Sequence, residues 1–484
     1  MKLIRGLALG SVAAVVVTAG AQAADLPVKA KAVEYVKVCS LYGAGFYYIP
    51  GTDTCIRLGG YMRIDTSFNS AGPYEAPSWS GNAGQQNRLR NEIIGRSRET
   101  LDIDTRTATE YGVLRTFFTG TFSWTTGTDG ISTGSLGTNF AFIQFAGFTM
   151  GKALSQYDTP WNAYPGGNNT SFLLGGESTE TGIQQLAYTA DFGQGVTGSV
   201  SVEDTASYRT SSLYNTSTGS PTNYAGGTFG TSSYGGTYTP DIVGMLRVDQ
   251  AWGLFQASVA AHDVHASYYV PALETSGHPS DVWGWAGQLG LSIKNIPTGA
   301  GDSINTSVGY AYGASRYVFG SDAPGSFAMY GGTSLPGVYQ SLAAAGLGDG
   351  VFGGTSPANG TGIERSTAWG FRGAYNHNWN EKWSSALFGS YSQMSWGAAG
   401  KALICATAVG YTCNPNFTIA QVGGVTRWTP VKGFALSGEV MYTYLDQKNS
   451  GVVTLPTIAT KPAAQYEWKD QGTLSVNVRA QRNF

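Results

Sequence analysis

Residue patterns that could support enzymatic chemistry occur in this sequence only in isolation. Residues 130–134 match the G-x-S-x-G pattern of serine hydrolases, and residues 348–353 match the G-x-G-x-x-G pattern of dinucleotide-binding proteins. The first lies in a stretch rich in Gly, Thr and Ser, and the second has no strand–helix–strand unit around it. Because the chain contains 68 glycines, such matches are expected by chance. We therefore predict no catalytic residues and no enzymatic activity.

The metal-ligating side chains do not form a recognisable site either. The four histidines contain neither an H-E-x-x-H motif nor a paired-ligand arrangement; they are His262, His265, His278 and His377. The four cysteines have no C-x-x-C spacing and no neighbouring histidine. We predict no metal and no cofactor.

The cysteines are better explained as disulfides. Cys39 and Cys55 lie close in sequence, and so do Cys405 and Cys413. Two local disulfides in an oxidising compartment are the simplest interpretation of this spacing. The sequence alone leaves other pairings open.

Several charged residues share one parity along an extended segment. Leu101 and Ile103 have one parity there, and five charged residues share the other: Arg96, Arg98, Asp102, Asp104 and Arg106. Since successive side chains of a strand point to opposite faces, the charged set lies on one face. Burying so many charges in an apolar core is costly, so this face is expected to meet water.

Composition narrows the class of protein further. Of the 484 residues only 12% are charged and 13% are aromatic, and the formal net charge is -2. A near-neutral chain gives no support to nucleic-acid binding. The abundance of Gly, Thr, Ser, Asn and Tyr favours strands and turns over helices, and the aromatic content argues against disorder.

The first 23 residues are predicted to be a cleaved signal peptide. Lys2 and Arg5 form a basic start, residues 7–17 are apolar, and 21–23 form a small-x-small cleavage site. No later stretch approaches the roughly 20 apolar residues of a membrane-spanning helix. The protein is therefore expected to be exported, and any membrane insertion must use strands.

Period-two alternation runs through most of the remaining chain. At the C-terminus, Leu474, Val476 and Val478 share one parity, whereas Ser475, Asn477 and Arg479 share the other. Charged residues in the middle of several strands, including Arg372 and Arg427, suit a water-filled interior. An antiparallel transmembrane barrel places lipid outside and water inside, and it accounts for this pattern.

The connections support the same architecture. Short links such as 192–195, 251–253 and 430–433 alternate with long polar links such as 204–240 and 397–416. Short turns at one rim and long loops at the other are typical of outer-membrane barrels. Counting between the links gives about 16 strands, if a turn lies within 147–152. We predict three parts: the signal peptide 1–23, a periplasmic or rim segment 24–54, and the barrel pore 55–484.

Specific blocks of residues resemble a known family. The segments 24–27, 36–39, 42–51 and 53–61, with 142–148 and the terminal Phe484, resemble the alphaproteobacterial (rhizobial-type) porins. The resemblance implies a trimeric, sixteen-stranded pore of the bacterial outer membrane, with the third long loop folded into the lumen. It also implies passive diffusion of small hydrophilic solutes and ions, and includes the N-terminal cysteine pair in the family block.

The same resemblance suggests where the pore is narrowest. Family porins place acidic loop residues opposite an arginine-rich wall, and the third loop falls within 155–181 of this chain. Its acidic candidates are Asp158, Glu177 and Glu180. The wall candidates lie on the early strands: Arg63, Arg96, Arg98, Arg106 and Arg115. Facing charges of this kind would orient polar solutes and filter ions.

The C-terminus and the implied partners follow the family with one departure. Phe484 resembles the terminal signal read by the outer-membrane assembly machinery, but the position two before it is Arg482. The implied partners are outer-membrane lipid and lipopolysaccharide, two further copies of the chain, the assembly machinery and the permeating solutes.

Two alternatives remain at this point. A secreted β-sandwich adhesin or lectin would use the long loops to bind glycans and would be soluble without detergent. A substrate-specific sugar channel would line its lumen with Trp and Tyr, whereas most strand aromatics in this chain have the outward parity, Tyr61 excepted.

Overall fold

The computed structural model describes residues 37–73, 77–130, 133–179, 181–217, 232–406 and 408–484. The predicted signal peptide and Glu180 lie outside these residues. The strands in chain order are β1 (Tyr47–Tyr48), β2 (Cys55–Phe68), β3 (Ile93–Thr109), β4 (Gly112–Thr125), β5 (Ser135–Phe145), β6 (Phe148–Ala153), β7 (Ile183–Gly193), β8 (Val196–Glu203), β9 (Ser212–Asn215), β10 (Asp241–Gln250), β11 (Gly253–Val264), β12 (Val282–Lys294), β13 (Ser303–Tyr312), β14 (Ser326–Gly331), β15 (Gln340–Gly346), β16 (Gly348–Phe352), β17 (Glu364–Asn378), β18 (Trp383–Trp396), β19 (Tyr411–Thr412), β20 (Phe417–Val431), β21 (Phe434–Gln447), β22 (Ser450–Leu455), β23 (Ala464–Trp468) and β24 (Gln471–Asn483).

Helical structure is sparse. Short helices cover Gly81–Gly84, Arg316–Phe319 and Ala398–Cys405, and 3-10 turns cover Ser40–Tyr42 and Glu274–Ser276. Among the residues with described structure, no helix is long and apolar enough to cross a membrane.

Sixteen strands form one closed antiparallel ring, which confirms the predicted all-β barrel and its strand number. The ring closes where β2 pairs with β24, with Ile64 opposite Ala480 and Phe68 opposite Val476. Closure pairs the backbone groups that would otherwise form an open edge. In order around the ring the strands are β2, β3, β4, β5, β6, β7, β8, β10, β11, β12, β13, β17, β18, β20, β21 and β24.

In this barrel the apolar side chains are exposed on the outer face and many polar side chains are buried inside, the opposite of a soluble protein. Leu58 and Val478 are 50% and 52% exposed, whereas Asp65 and Asn477 are 0% exposed. Neighbouring positions on one strand therefore alternate between an apolar outer face and a polar inner face, as the alternation in sequence predicts. This arrangement requires lipid outside and rules out a soluble sandwich.

The connections divide into two rims. Seven turns of two to eight residues join strands at one end, and eight longer links join them at the other. Tryptophans flank the short turns, and Trp383 stacks on Trp428 with ring centroids 5.8 Å apart. Exposed Trp283 and Trp369 lie in the halves of β12 and β17 that are nearer to the long links. Aromatic residues at both ends of the apolar band suit the two membrane interfaces.

The first described residues of the chain and its C-terminus both contact β2. A disulfide joins Cys39 to Cys55, the first residue of β2, and holds the preceding segment against the barrel. The backbone N–H of Phe484 donates to the carbonyl of Gly60 at 3.1 Å. A second disulfide, Cys405–Cys413, lies in the seventh long link.

The long links contain strands that the polar composition of these segments does not predict. The sixth and eighth links contribute β14, β15, β22 and β23, which form a small sheet with β19. In the ring below, four inward alanines are directly paired across consecutive strands; they are Ala260, Ala286, Ala311 and Ala368. Because alanine is small, this row leaves space for the buried aromatic residues of the third and sixth links, including Tyr157 and Tyr317.

An ion-pair network joins the third and fourth links beside this apolar cluster. Arg209, from the fourth link, lies 2.8 Å from Glu177 and 3.8 Å from Asp158, both in the third link. It also lies 3.4 Å from Glu203 at the end of β8, and all four side chains are fully buried. One guanidinium therefore faces three carboxyl groups in a water-poor environment, and Arg372 adds a second positive charge nearby.

Burial is the main cause of the raised pKa values of Asp158 and Glu177. Desolvation, partly offset by Arg209, raises the pKa of Asp158 to about 6 and that of Glu177 to about 8. Each carboxyl therefore tends to bind a proton on folding, so its contribution to stability falls as pH rises. Arg209 limits this loss by compensating the charged forms.

We predict that Arg209→Met destabilises the barrel more at pH 8 than at pH 5. At pH 8 the variant leaves Glu177 and Asp158 buried without their main counter-charge, a change that costs about 3–5 kcal/mol in other buried pairs. At pH 5 both carboxyls can be protonated, so the loss should be smaller. The measurement is the thermal unfolding temperature of purified protein in detergent.

The control for that experiment is Glu177→Gln, which keeps the side-chain shape and removes one acid. It should retain an unfolding temperature close to wild type. An Arg209→Met variant whose destabilisation is the same at both pH values would contradict this account of the network.

Candidate functional site

The described residues of the third long link, 154–179 and 181–182, lie inside the barrel, and we call them the lumen loop. Side chains of the barrel wall bind its backbone. Arg372 on β17 donates to the carbonyl oxygen of Leu173 at 3.2 Å. Gln421 on β20 accepts the backbone N–H of Leu174 at 2.9 Å. The predicted position of the inward-folded loop is thereby confirmed.

The tip of the lumen loop is held by ionisable side chains from the last strands. Glu439 on β21 accepts the backbone N–H of Asn169, and Arg479 on β24 donates to the carbonyl oxygen of the same residue at 3.1 Å. Arg427 on β20 donates to the carbonyl oxygen of Gly167. These bonds fix the tip against one side of the ring.

Close backbone contact also requires a glycine in the lumen loop. Gly175 has φ +91°, and a Cβ at this position would lie 2.3 Å from the carbonyl oxygen of Phe371 on β17. A side chain would force the loop away from the wall, so glycine allows the loop to lie directly on the strand.

A polar cavity of about 600 Å³ remains between the loop tip and the opposite part of the ring. Its wall comes from β2–β5 and from β20, β21 and β24. The charged residues among its described lining are Arg63, Arg98, Arg427, Arg479 and Asp102. This is the candidate functional site, because a solute inside the barrel would meet the loop and these charges together.

The predicted arginines separate into three groups. Arg63 and Arg98 line the cavity and lie opposite each other in the pairing of β2 with β3. Arg96 is 2% exposed and forms an ion pair with Asp65, so it does not present its charge to the cavity. A sequence prediction from parity alone could not distinguish these cases.

The other two predicted arginines lie towards the rim with the short turns. Arg106 and Arg115 contact Asp104 at 2.9 and 3.1 Å. The Arg106 guanidinium also lies 4.9 Å from the ring centre of Phe46, in the disulfide-bound N-terminal segment. Because β3 and β4 are joined by a two-residue turn just beyond this cluster, both arginines are outside the cavity.

The acidic candidates require a correction. Asp158 and Glu177 belong to the lumen loop, but they face the buried Arg209 rather than the arginines of the early strands. Neither lines the cavity. Arg209 belongs to the fourth link. The alternation of residues along strands cannot predict a contact between two loops, so the sequence contains no indication of this pairing. The Glu180 prediction falls outside the described residues.

Arg427 and Arg479 are cavity residues that the predicted arginine wall omits. A signal for Arg479 was present in the sequence, because its parity is inward and ring closure places the last strand beside the first. Arg427 occupies the next inward arginine position around the ring, with Ser437 between the two on β21. The wall therefore extends across both sides of the closure.

The family match and two similar relatives all identify porins. Residues 25–477 match the family described as "Porin subfamily". The chain is 34% identical over 270 residues to the porin Omp2b of Brucella suis biovar 1, and 33% identical over 270 residues to that of Brucella melitensis biotype 1. Each match covers 54% of this chain and 66% of the relative, so the chain spans just under two thirds of the length of these relatives.

A solved structure shares the fold at low sequence identity. The outer membrane channel DcaP of Acinetobacter baumannii superposes with a TM-score of 0.60 and 15% identity, covering 90% of this chain and 99% of that one. The family match extends through nearly the whole chain, from before β2 into β24. The chain therefore belongs to a family of outer-membrane porins, not to an enzyme family.

Proposed function

We propose that the protein is a passive diffusion channel of the outer membrane for small hydrophilic solutes and ions. The observation that carries this proposal is the polar cavity between the lumen loop and the arginine-bearing wall. A sixteen-stranded ring is wide enough for an aqueous interior, and the loop reduces that interior to the cavity. No coupling to an energy source is required, because solutes move down their own gradients.

The size limit of the channel is set by the lumen loop. Its tip lines the cavity through Gly167, Asn168 and Asn169, and wall side chains hold those residues in place. A solute must therefore pass between the fixed tip and β2–β5. The predicted loop acids act in this proposal through their contact with Arg209, which supports the base of the loop.

Self-association as a trimer accounts for an outer face that is poorly suited to lipid. Glu99 lies between Met62 and Phe122 in the pairing of β2, β3 and β4, and both neighbours are exposed on the outer face. A carboxyl in mid-strand on the lipid face is unfavourable. A second copy of the chain that covers this face would remove the carboxyl from lipid.

The remaining parts of the proposal concern export and assembly. A signal peptide ending at Ala23 would be removed, so N-terminal sequencing of the mature protein should begin at Ala24; retention of residues 1–23 would contradict it. The outward apolar band contacts lipid and lipopolysaccharide, and Phe484 is the residue offered to the assembly machinery. Phe484 is 62% exposed, which leaves its ring accessible.

We expect purified protein to produce stepwise ohmic currents in a planar lipid bilayer. Groups of three equal steps would support the trimer, because each copy has its own cavity. Stable insertion without any current would overturn the channel proposal. Single steps only, together with a monomer mass in mild detergent, would overturn the trimer proposal while leaving the channel intact.

We predict that deleting residues 166–169 increases the single-channel conductance. The deletion removes the part of the lumen loop that lines the cavity, so the ion path becomes wider. Conductance steps in the same bilayer assay provide the measurement. The matched control deletes four residues, 356–359, from a largely exposed turn of the sixth link. If both deletions leave conductance at the wild-type value, the lumen loop does not set the constriction.

A further inference from the structure

The cavity concentrates positive charge from both sides of the ring closure. Arg427, Ser437 and Arg479 occupy directly paired positions on β20, β21 and β24. On the next strands, Arg63 is paired with Arg98. Four guanidinium groups from four strands therefore surround one volume.

Most of the atoms that bind these arginines are uncharged. Arg63 Nε donates to Gln481 Oε1 at 2.7 Å, and Arg98 Nε donates to Ser123 Oγ at 2.9 Å. The contacts of Arg427 with the loop tip are to backbone carbonyls. Neutral acceptors of this kind orient a guanidinium without cancelling its charge.

Arg479 differs because it contacts a carboxylate. Its Nε lies 2.6 Å from Asp65, but that carboxylate is shared with the buried Arg96. Since one negative charge serves two arginines, this pair of contacts leaves one positive charge in excess.

The described acidic residues do not balance the cavity. Four arginines line it against Asp102, which leaves an excess of three positive charges. Asp65 and Arg96 behind the wall cancel each other. Counting the buried Glu439 near Arg427 lowers the excess to two. An excess of arginine at a narrow point favours anions over cations.

An apolar surface lies beside the guanidinium groups. Phe117 and Phe140 line the cavity from β4 and β5, with ring centroids 6.3 Å apart. Tyr61 and Tyr164 also line it, and the Arg63 guanidinium lies 4.4 Å from the ring centre of Tyr61. Guanidinium groups bind carboxylates through paired hydrogen bonds, whereas aromatic rings favour an apolar body.

We propose that this cavity is a transient binding site for small organic carboxylates, which the channel passes in preference to cations. The inference rests on the proposed function and adds a solute class to it. The carboxylate would lie against Arg63, Arg427 and Arg479, and the apolar part would lie against Phe117 and Phe140. Because guanidinium groups and aromatic rings line the same cavity, we expect both the carboxylate and the apolar part of the solute to contribute to binding.

The first test is the reversal potential of wild-type channels under a KCl gradient. We expect its sign to report chloride permeability above potassium permeability. Absence of conductance would overturn the proposed function itself. Conductance with a reversal potential at zero or of the cation-selective sign would leave the channel intact and overturn this inference.

Charge variants test whether the named residues produce the preference. Arg63→Gln should lower the chloride-to-potassium permeability ratio about two- to fivefold, because it removes one charge acting over a few ångströms of water. Asp102→Asn should raise the ratio. The matched control is Arg247→Gln: Arg247 also donates to a wall glutamine, Gln256, at 2.9 Å, but it does not line the cavity. Equal effects of Arg63→Gln and Arg247→Gln would contradict the assignment.

A blocker comparison tests the solute class. Benzoate added to one side should interrupt chloride current more than acetate, which lacks the ring, and more than benzamide, which lacks the charge. Arg63→Gln should weaken the benzoate effect, and Arg63→Lys should retain part of it. If benzoate and benzamide act equally, or if benzoate acts no more strongly than acetate, the carboxylate site is overturned.

Discussion

Closure of the backbone hydrogen-bonded ring is the constraint on which the rest of this structure depends. In lipid, backbone groups without partners are too costly, so the sheet must return to its first strand. The pairing of β24 with β2 achieves this and gives every strand one face towards lipid and one towards the interior. Polar and charged side chains must then point inwards, where they can bind a loop and leave a hydrated path.

One side of the barrel interior is filled by packed loops and the other side keeps a cavity, because the inward side chains differ in size and charge. The row of alanines on β11, β12, β13 and β17 gives the third and sixth links room to pack. The arginines and polar residues near β2 and β24 cannot form such an apolar contact, and a cavity remains there. The side of the barrel that keeps a cavity is thus determined by side-chain size on one wall and by charge on the other.

The sequence predicted the barrel fold better than it predicted which residues line the cavity. Alternation, turn spacing and the C-terminal strand are local features, and they predict the ring and its sixteen strands. The inward third link is expected only from the family resemblance. The facing partners of Asp158 and Glu177 depend instead on Arg209, which belongs to another link and reaches them only after both links fold inwards. Parity likewise places Arg63 and Arg96 on the same face, but only the packed structure shows that Arg96 is neutralised by Asp65. Sequence periodicity specifies a face, whereas burial and height along the barrel require the complete assembly.

Arg427 and Arg479 each have two tasks: their side chains hold the loop tip and also line the cavity. In the proposed channel, the width of the pore and its ion preference are therefore mechanically linked. A substitution that alters charge at either position also releases a support of the loop, so evolution cannot adjust the two properties independently there. Arg63 and Arg98 are oriented instead by side chains of the wall itself, Gln481 and Ser123. Variation among related channels that tunes ion preference at constant bore should accordingly accumulate on β2 and β3, while changes on β20 and β24 should alter both properties together.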